Sequence, residues 1–146
     1  MNYQNLDKEV LTSVYKNAHI ALQSISNIIG ETDHPDMKNE LSEEYDGYEK
    51  YIGKLSAYMK EVGCEPKDIG FMQKAFMFTS IKMNTLTDDS KSHVAELMIK
   101  GTVMGITELT EILNKHSNGL GEQTRALTQE LLDLEESYEQ RLKRLL

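Results

Sequence analysis

Apolar residues recur at intervals of three and four along nearly the whole chain, the spacing that gathers side chains on one face of a helix. Over 6–29 the stripe is Leu11, Val14, Ala18, Leu22, Ile25 and Ile29, and Gly30 ends it. Pro35, favoured in a first helical turn, opens a second segment with Asp36 and Glu40 placed where the helix dipole welcomes negative charge. Met37, Leu41, Tyr45, Tyr48, Ile52, Leu55, Met59 and Val62 form its stripe, and Gly63 closes it. Pro66 reopens helical structure, but 67–86 differs from its neighbours. Phe71, Met72, Ala75, Phe76, Met77, Phe78, Ile81 and Met83 cover nearly its whole circumference, as in a helix buried on several sides.

The run Thr87, Asp88, Asp89, Ser90 offers side-chain acceptors for the free N–H groups of a new helix. That helix resumes the apolar spacing at Val94, reaches about His116 and is stopped by Asn118 and Gly119. A last helix carries Leu127, Leu131, Leu134, Tyr138, Leu142 and Leu145, with Arg141, Lys143 and Arg144 complementing its C-terminal dipole. No segment alternates with period two. The pattern therefore predicts an all-α chain with one domain over 1–146.

Four of the five segments have about 24–28 residues, or roughly 36–42 Å at 1.5 Å per residue, whereas the apolar one has about 20. Short loops make the first two helices one antiparallel hairpin and the last two another, leaving 67–86 as the return stroke that a crossover requires. The expected fold is thus a ferritin-like up-down bundle of four long helices with a shorter apolar crossover helix. A five-helix up-down bundle is the alternative. Gly101 and Gly105 lie one turn apart on one helix face, at roughly 1 kcal/mol each relative to alanine. They are read as a groove for close contact with a neighbouring helix.

A chain of 146 residues can bury about 68–70% of its unfolded surface without metal or disulfide support. Its net charge of −8 disfavours nucleic acid and anionic membrane as partners, since both would repel it. The lone Cys64 has no internal disulfide partner and no sequence neighbour that would activate it, which fits a reducing compartment. With a polar start, MNYQNLDKEV, and no long apolar run, the expected location is cytoplasmic.

The run MNTLTDDSKSHVAELMIKGTVMG, with Asn84, Thr87, Asp88, Ser90, Ser92, His93, Ala95, Glu96, Gly101, Met104 and Gly105, resembles small uncharacterised bacterial helical-bundle proteins of ferritin-like type. The stretch YKNAHIALQSI, from Tyr15 to Ile25, is similar to the same group. The resemblance implies the fold and brings no substrate or catalytic residue with it.

Ferritin-like carboxylate proteins hold a metal pair with a Glu from each of two helices and an E-x-x-H from each of the other two. Here the only E-x-x-H, Glu31 to His34, falls in a predicted turn next to Pro35. The reversed spacing His93-x-x-Glu96 could share an ion, but in the first turn of its helix. The remaining metal candidates are His19 in the first helix, Glu44 and Glu49 in the second, and Glu130 and Glu135 in the last. All four glutamates are read as flanking their stripes, as charged residues of any soluble bundle do. Tyr45 and Tyr48 read as core rings with polar tips rather than as a radical or stacking site.

Two classes of function follow. The favoured one is a non-catalytic bundle without cofactor that self-associates or binds a partner through apolar helix surface. The two apolar faces of 67–86 call for two partners, so a homodimer is expected with Phe71, Ala75 and Phe78 at its interface. The alternative is a degenerate or unusual ferritin-like protein of di-iron type, binding iron or another transition metal.

Overall fold

The computed structural model describes residues 3–65 and 90–146. Among them there are four long helices and no strand: α1 (Tyr3–Ile28), α2 (Pro35–Glu61), α3 (Lys91–Lys115) and α4 (Glu122–Lys143). The predicted helix over 67–86, with Phe71, Ala75 and Phe78, lies outside the described residues.

Local chemistry accounts for the helix ends. A 3-10 turn over Ile29–Glu31 follows α1, and Pro35 begins α2 in its first turn. Gly63, with φ of +71°, ends α2 in a left-handed cap: its N–H donates to Lys60 O at 3.1 Å and the Cys64 N–H to Met59 O at 2.7 Å. Ser90 caps α3 as the sequence suggests, its Oγ accepting from the His93 N–H at 3.3 Å. The N-terminus of α4 has no side-chain cap of its own. Asp7 of α1 supplies one, accepting from the Gly121 N–H at 3.0 Å, and its charge suits the positive end of the helix.

These contacts also set the helix directions. The C-terminal ends of α2 and α3 both reach the start of α1, since Cys64 Sγ donates to Lys8 O at 3.5 Å and a Cβ on Gly119 would touch Leu6. The helices α2 and α3 thus run parallel to each other, and each is antiparallel to α1. Pairing of Lys54 with Glu130 and of Arg141 with Glu40 makes α2 and α4 antiparallel as well. The described residues at 65 and 90 therefore stand at opposite ends of the bundle. Packing is most extensive between α3 and α4 and between α1 and α2.

The core runs the length of the bundle through Leu11, Val14, Ile25, Met37, Leu41, Leu55, Val94, Leu109, Leu131 and Leu142, all buried. At the end of α1 the seam closes on Ile28, fully buried, whereas Ile29 is half-buried. Among the described residues, no helix is long and apolar enough to cross a membrane.

Candidate functional site

A polar layer crosses the middle of this apolar core. The inner seam of α2 is Leu41, Glu44, Tyr48, Tyr51 and Leu55, and that of α4 is Leu131, Glu135, Tyr138 and Leu142, each spaced by three and four. Glu44 and Glu135, expected to flank their stripes, are each only 1% exposed. The sequence pattern misassigns both for one reason. Tyr45 and Leu134, each one residue away, are apolar and take the inward position in a hydrophobicity pattern, yet both are only half-buried.

From α2, the Tyr48 hydroxyl donates to Glu135 Oε2 at 3.4 Å and the Tyr51 hydroxyl to Leu127 O at 2.6 Å. The Tyr48 and Tyr138 rings meet with centroids 5.2 Å apart, tilted by 59°. The Tyr138 hydroxyl rests against Gly47, in the space a side chain there would need. At the rim, Arg141 binds Glu40 at 3.0 Å, pairs also with Glu43, and lies 5.4 Å from the centre of the Tyr138 ring. From the other side, Asn17 of α1 donates through Nδ2 to Gly105 O of α3 at 3.1 Å and to Glu108 Oε1 at 3.4 Å. A Cβ on Gly105 would lie 2.5 Å from Glu135 Oε1 and 3.2 Å from Asn17 Oδ1.

Burial governs the electrostatics here. It pushes Glu44 up to about 10, with the neighbouring Glu40 carboxyl adding to the rise and Arg141 opposing it. Glu135 is pushed up to about 8, again first by burial; the Tyr48 hydrogen bond opposes the rise and the Glu108 charge adds to it. Tyr48 is held well above the usual phenol range by burial and then by the charges of Glu135 and Glu44. Burial and Glu44 raise Tyr138 to about 12. Burial therefore favours the protonated form of both carboxyls and of the phenols. Glu44 Oε2, Glu40 Oε2, Glu135 Oε1 and Asn17 Oδ1 are buried without hydrogen-bond partners. A carboxylic acid brings an O–H to such a place, where a carboxylate brings only acceptors.

The other predicted metal candidates lie apart from this layer. His19 is half-buried and packs against Tyr15 with centroids 4.6 Å apart and the rings tilted by 42°, and burial lowers its pKa. The backbone of His93 is bound by the Ser90 cap. Glu96 is exposed and pairs with Lys100 at 3.1 Å, Glu49 is exposed, and Glu130 pairs with Lys54 at 2.7 Å. Among the described residues, no three His, Cys, Asp or Glu side chains gather as a metal site would require.

The donor set of a ferritin-like metal pair can be tested at this layer. Glu44 and Glu135 supply two inward carboxyls, but the third residue after each is Gly47 and Tyr138 instead of histidine. Of the two remaining helices, α1 offers Asn17, and α3 offers Gly105 with the exposed Glu108 turned to Asn17. Hard or borderline divalent ions need several anionic or imidazole donors, so these residues do not fit the pair.

The two glycines of α3 also part company. A Cβ on Gly105 would meet side chains of α4 and α1. Gly101 is exposed, and among the described residues nothing lies within 4 Å of where its Cβ would be. Asn17 and Gly47 escape the sequence reading, and Tyr138 and Arg141 enter it only as a core ring and a dipole partner, because each acts through a partner on another helix.

No protein-family model, curated protein or solved structure matches the chain.

Proposed function

We propose that the protein is a ferritin-like bundle without a metal pair, acting as a non-catalytic scaffold that self-associates through apolar helix surface. One observation carries this reading: the level of the bundle where metal ligands would converge holds Asn17, Gly47, Gly105 and Tyr138 in place of ligand side chains. The ferritin-like assignment draws support from the helix directions. Two antiparallel hairpins whose middle helices run parallel require a connection that returns along the bundle. Self-association draws support from Met104 and Val103, 69% and 39% exposed on α3 beside the exposed Gly101.

Metal analysis of protein purified without chelator or nickel affinity is expected to find iron, manganese and zinc far below one per chain. A stoichiometric metal would reverse this reading in favour of the di-iron-type alternative. Light scattering at micromolar concentration is expected to report a homodimer, and a monomer would reject the self-association. Phe78→Glu should then shift the protein toward monomer while leaving the helical circular dichroism signal intact.

A further inference from the structure

Two buried acceptor atoms flank the space beside Gly105, each without a hydrogen-bond donor. Glu135 Oε1 and Asn17 Oδ1 are both buried and both lack a hydrogen-bond partner. They approach the same point, 2.5 Å and 3.2 Å from where a Cβ of Gly105 would sit. The Asn17 amide cannot relieve this by turning over. Its nitrogen faces Gly105 O at 3.1 Å and Glu108 Oε1 at 3.4 Å, and reversing it would set its oxygen against a carbonyl that has no proton to give.

Buried acceptors that border one space are costly unless a donor or a cation lies between them. The cation is the poorer fit. One carboxyl and one amide make a thin donor set, Glu108 is exposed, and no third ligand group gathers among the described residues.

We infer that Glu135 is a neutral acid whose Oε1–H faces Asn17 Oδ1, so that the bundle binds one proton at its middle and is loosened when that proton leaves. The proton completes a relay through all four described helices. Tyr48 of α2 donates to Glu135 of α4, Glu135 donates to Asn17 of α1, and Asn17 donates to Gly105 of α3. Losing it puts a buried negative charge beside an amide oxygen and removes the donor that ties Glu135 of α4 to Asn17 of α1.

The surroundings favour retention at neutral pH. Among the described residues, the groups that face Glu135 are Tyr48 and Tyr51 from α2, Glu108 from α3 and the uncharged Asn17 from α1. None is a cation. Burial and Glu108 outweigh the Tyr48 hydrogen bond, and the proton is held up to about pH 8.

The sign of the pH effect follows. Because the folded pKa lies above the unfolded one, the native state binds the extra proton between about 4.5 and about 8. Stability from this group is fully present below the unfolded pKa and is lost as pH rises toward the folded one. For one linked proton the folding equilibrium constant falls about tenfold per pH unit across that window. Glu44 acts in the same direction at its own place in the layer, so the test must isolate Glu135.

The decisive measurement is the carbon-13 resonance of the Glu135 carboxyl in the full chain, followed with pH, beside chemical denaturation of Glu135→Gln. Glutamine keeps the shape and offers an N–H to Asn17. The expected carboxyl signal is that of an acid in mildly acidic solution, changing to carboxylate near pH 8. Glu135→Gln should keep the helix content and lose one proton's worth of the slope, becoming the more stable protein in alkaline solution. An ionised Glu135 in mildly acidic solution would overturn the inference, as would a variant with the wild-type slope. Stabilisation of the wild type, but not of Glu135→Gln, by added magnesium, calcium, manganese or zinc would also overturn it and place a cation in the gap. If the variant does not fold, the wild-type resonance decides alone. Self-association is a separate property, read by light scattering, and neither result depends on the other.

Discussion

Replacing Gly105 by leucine is expected to destabilise the bundle by about 3 kcal/mol, a loss of roughly 6–12 °C in Tm for a chain of this size. Even the first added atom has no room. It would lie 2.5 Å from Glu135 Oε1 and 3.2 Å from both Glu135 Cδ and Asn17 Oδ1. Moving Glu135 aside breaks its bond from Tyr48, and moving Asn17 aside releases Gly105 O and Glu108. The gain in helix propensity, up to about 1 kcal/mol, does not offset those losses.

Gly101→Leu is the internal control. Its Cβ meets no described residue, so the propensity gain stands alone and the melting temperature should hold or rise slightly. Equal losses in the two variants would show that both glycines sit in one groove, as their spacing in the sequence suggests. A loss in neither would remove the close contact at Gly105.

The contrast between the glycines shows where sequence reasoning reaches and where it stops. The four described helices and the ends marked by Ser90, Pro35 and Gly63 were legible, because those signals are local and each acts within a turn of its own position. Spacing marks which glycines share a face, but not what stands opposite that face. The same limit hides the polar layer. Glu44 lies three residues after Leu41 and four before Tyr48, and Glu135 lies four after Leu131 and three before Tyr138, so both hold correct seam positions. A pattern built on hydrophobicity passes over them for Tyr45 and Leu134. Spacing that takes the polar tip of Tyr51 as a seam member, in the series 41, 44, 48, 51 and 55, would have found Glu44. The place of Asn17 could not be found this way, because the groups around it lie on α3 and α4, in a pairing that only the tertiary arrangement creates.

The second large effect is expected at Gly47, where the layer is closed by shape instead of by hydrogen bonds. A Cβ added there would run into the Tyr138 hydroxyl and lie 3.1 Å from its ring carbon Cζ. Tyr138 has little freedom to withdraw: its ring is set against Tyr48 at 5.2 Å and under the Arg141 guanidinium at 5.4 Å. Gly47→Ala should therefore cost about 2 kcal/mol even though alanine is the better helix former. Tyr138→Phe removes the colliding oxygen and leaves the ring, so the double variant should recover at least half of that loss. A coupling of about 1 kcal/mol or more in urea denaturation of the four proteins is the expected outcome. Additive losses would mean that the hydroxyl does not fill the space at Gly47. Coupling would tie two residues that each stand three positions after a buried glutamate, Glu44 or Glu135, and would show that this level of the bundle is shaped to be filled by the protein itself.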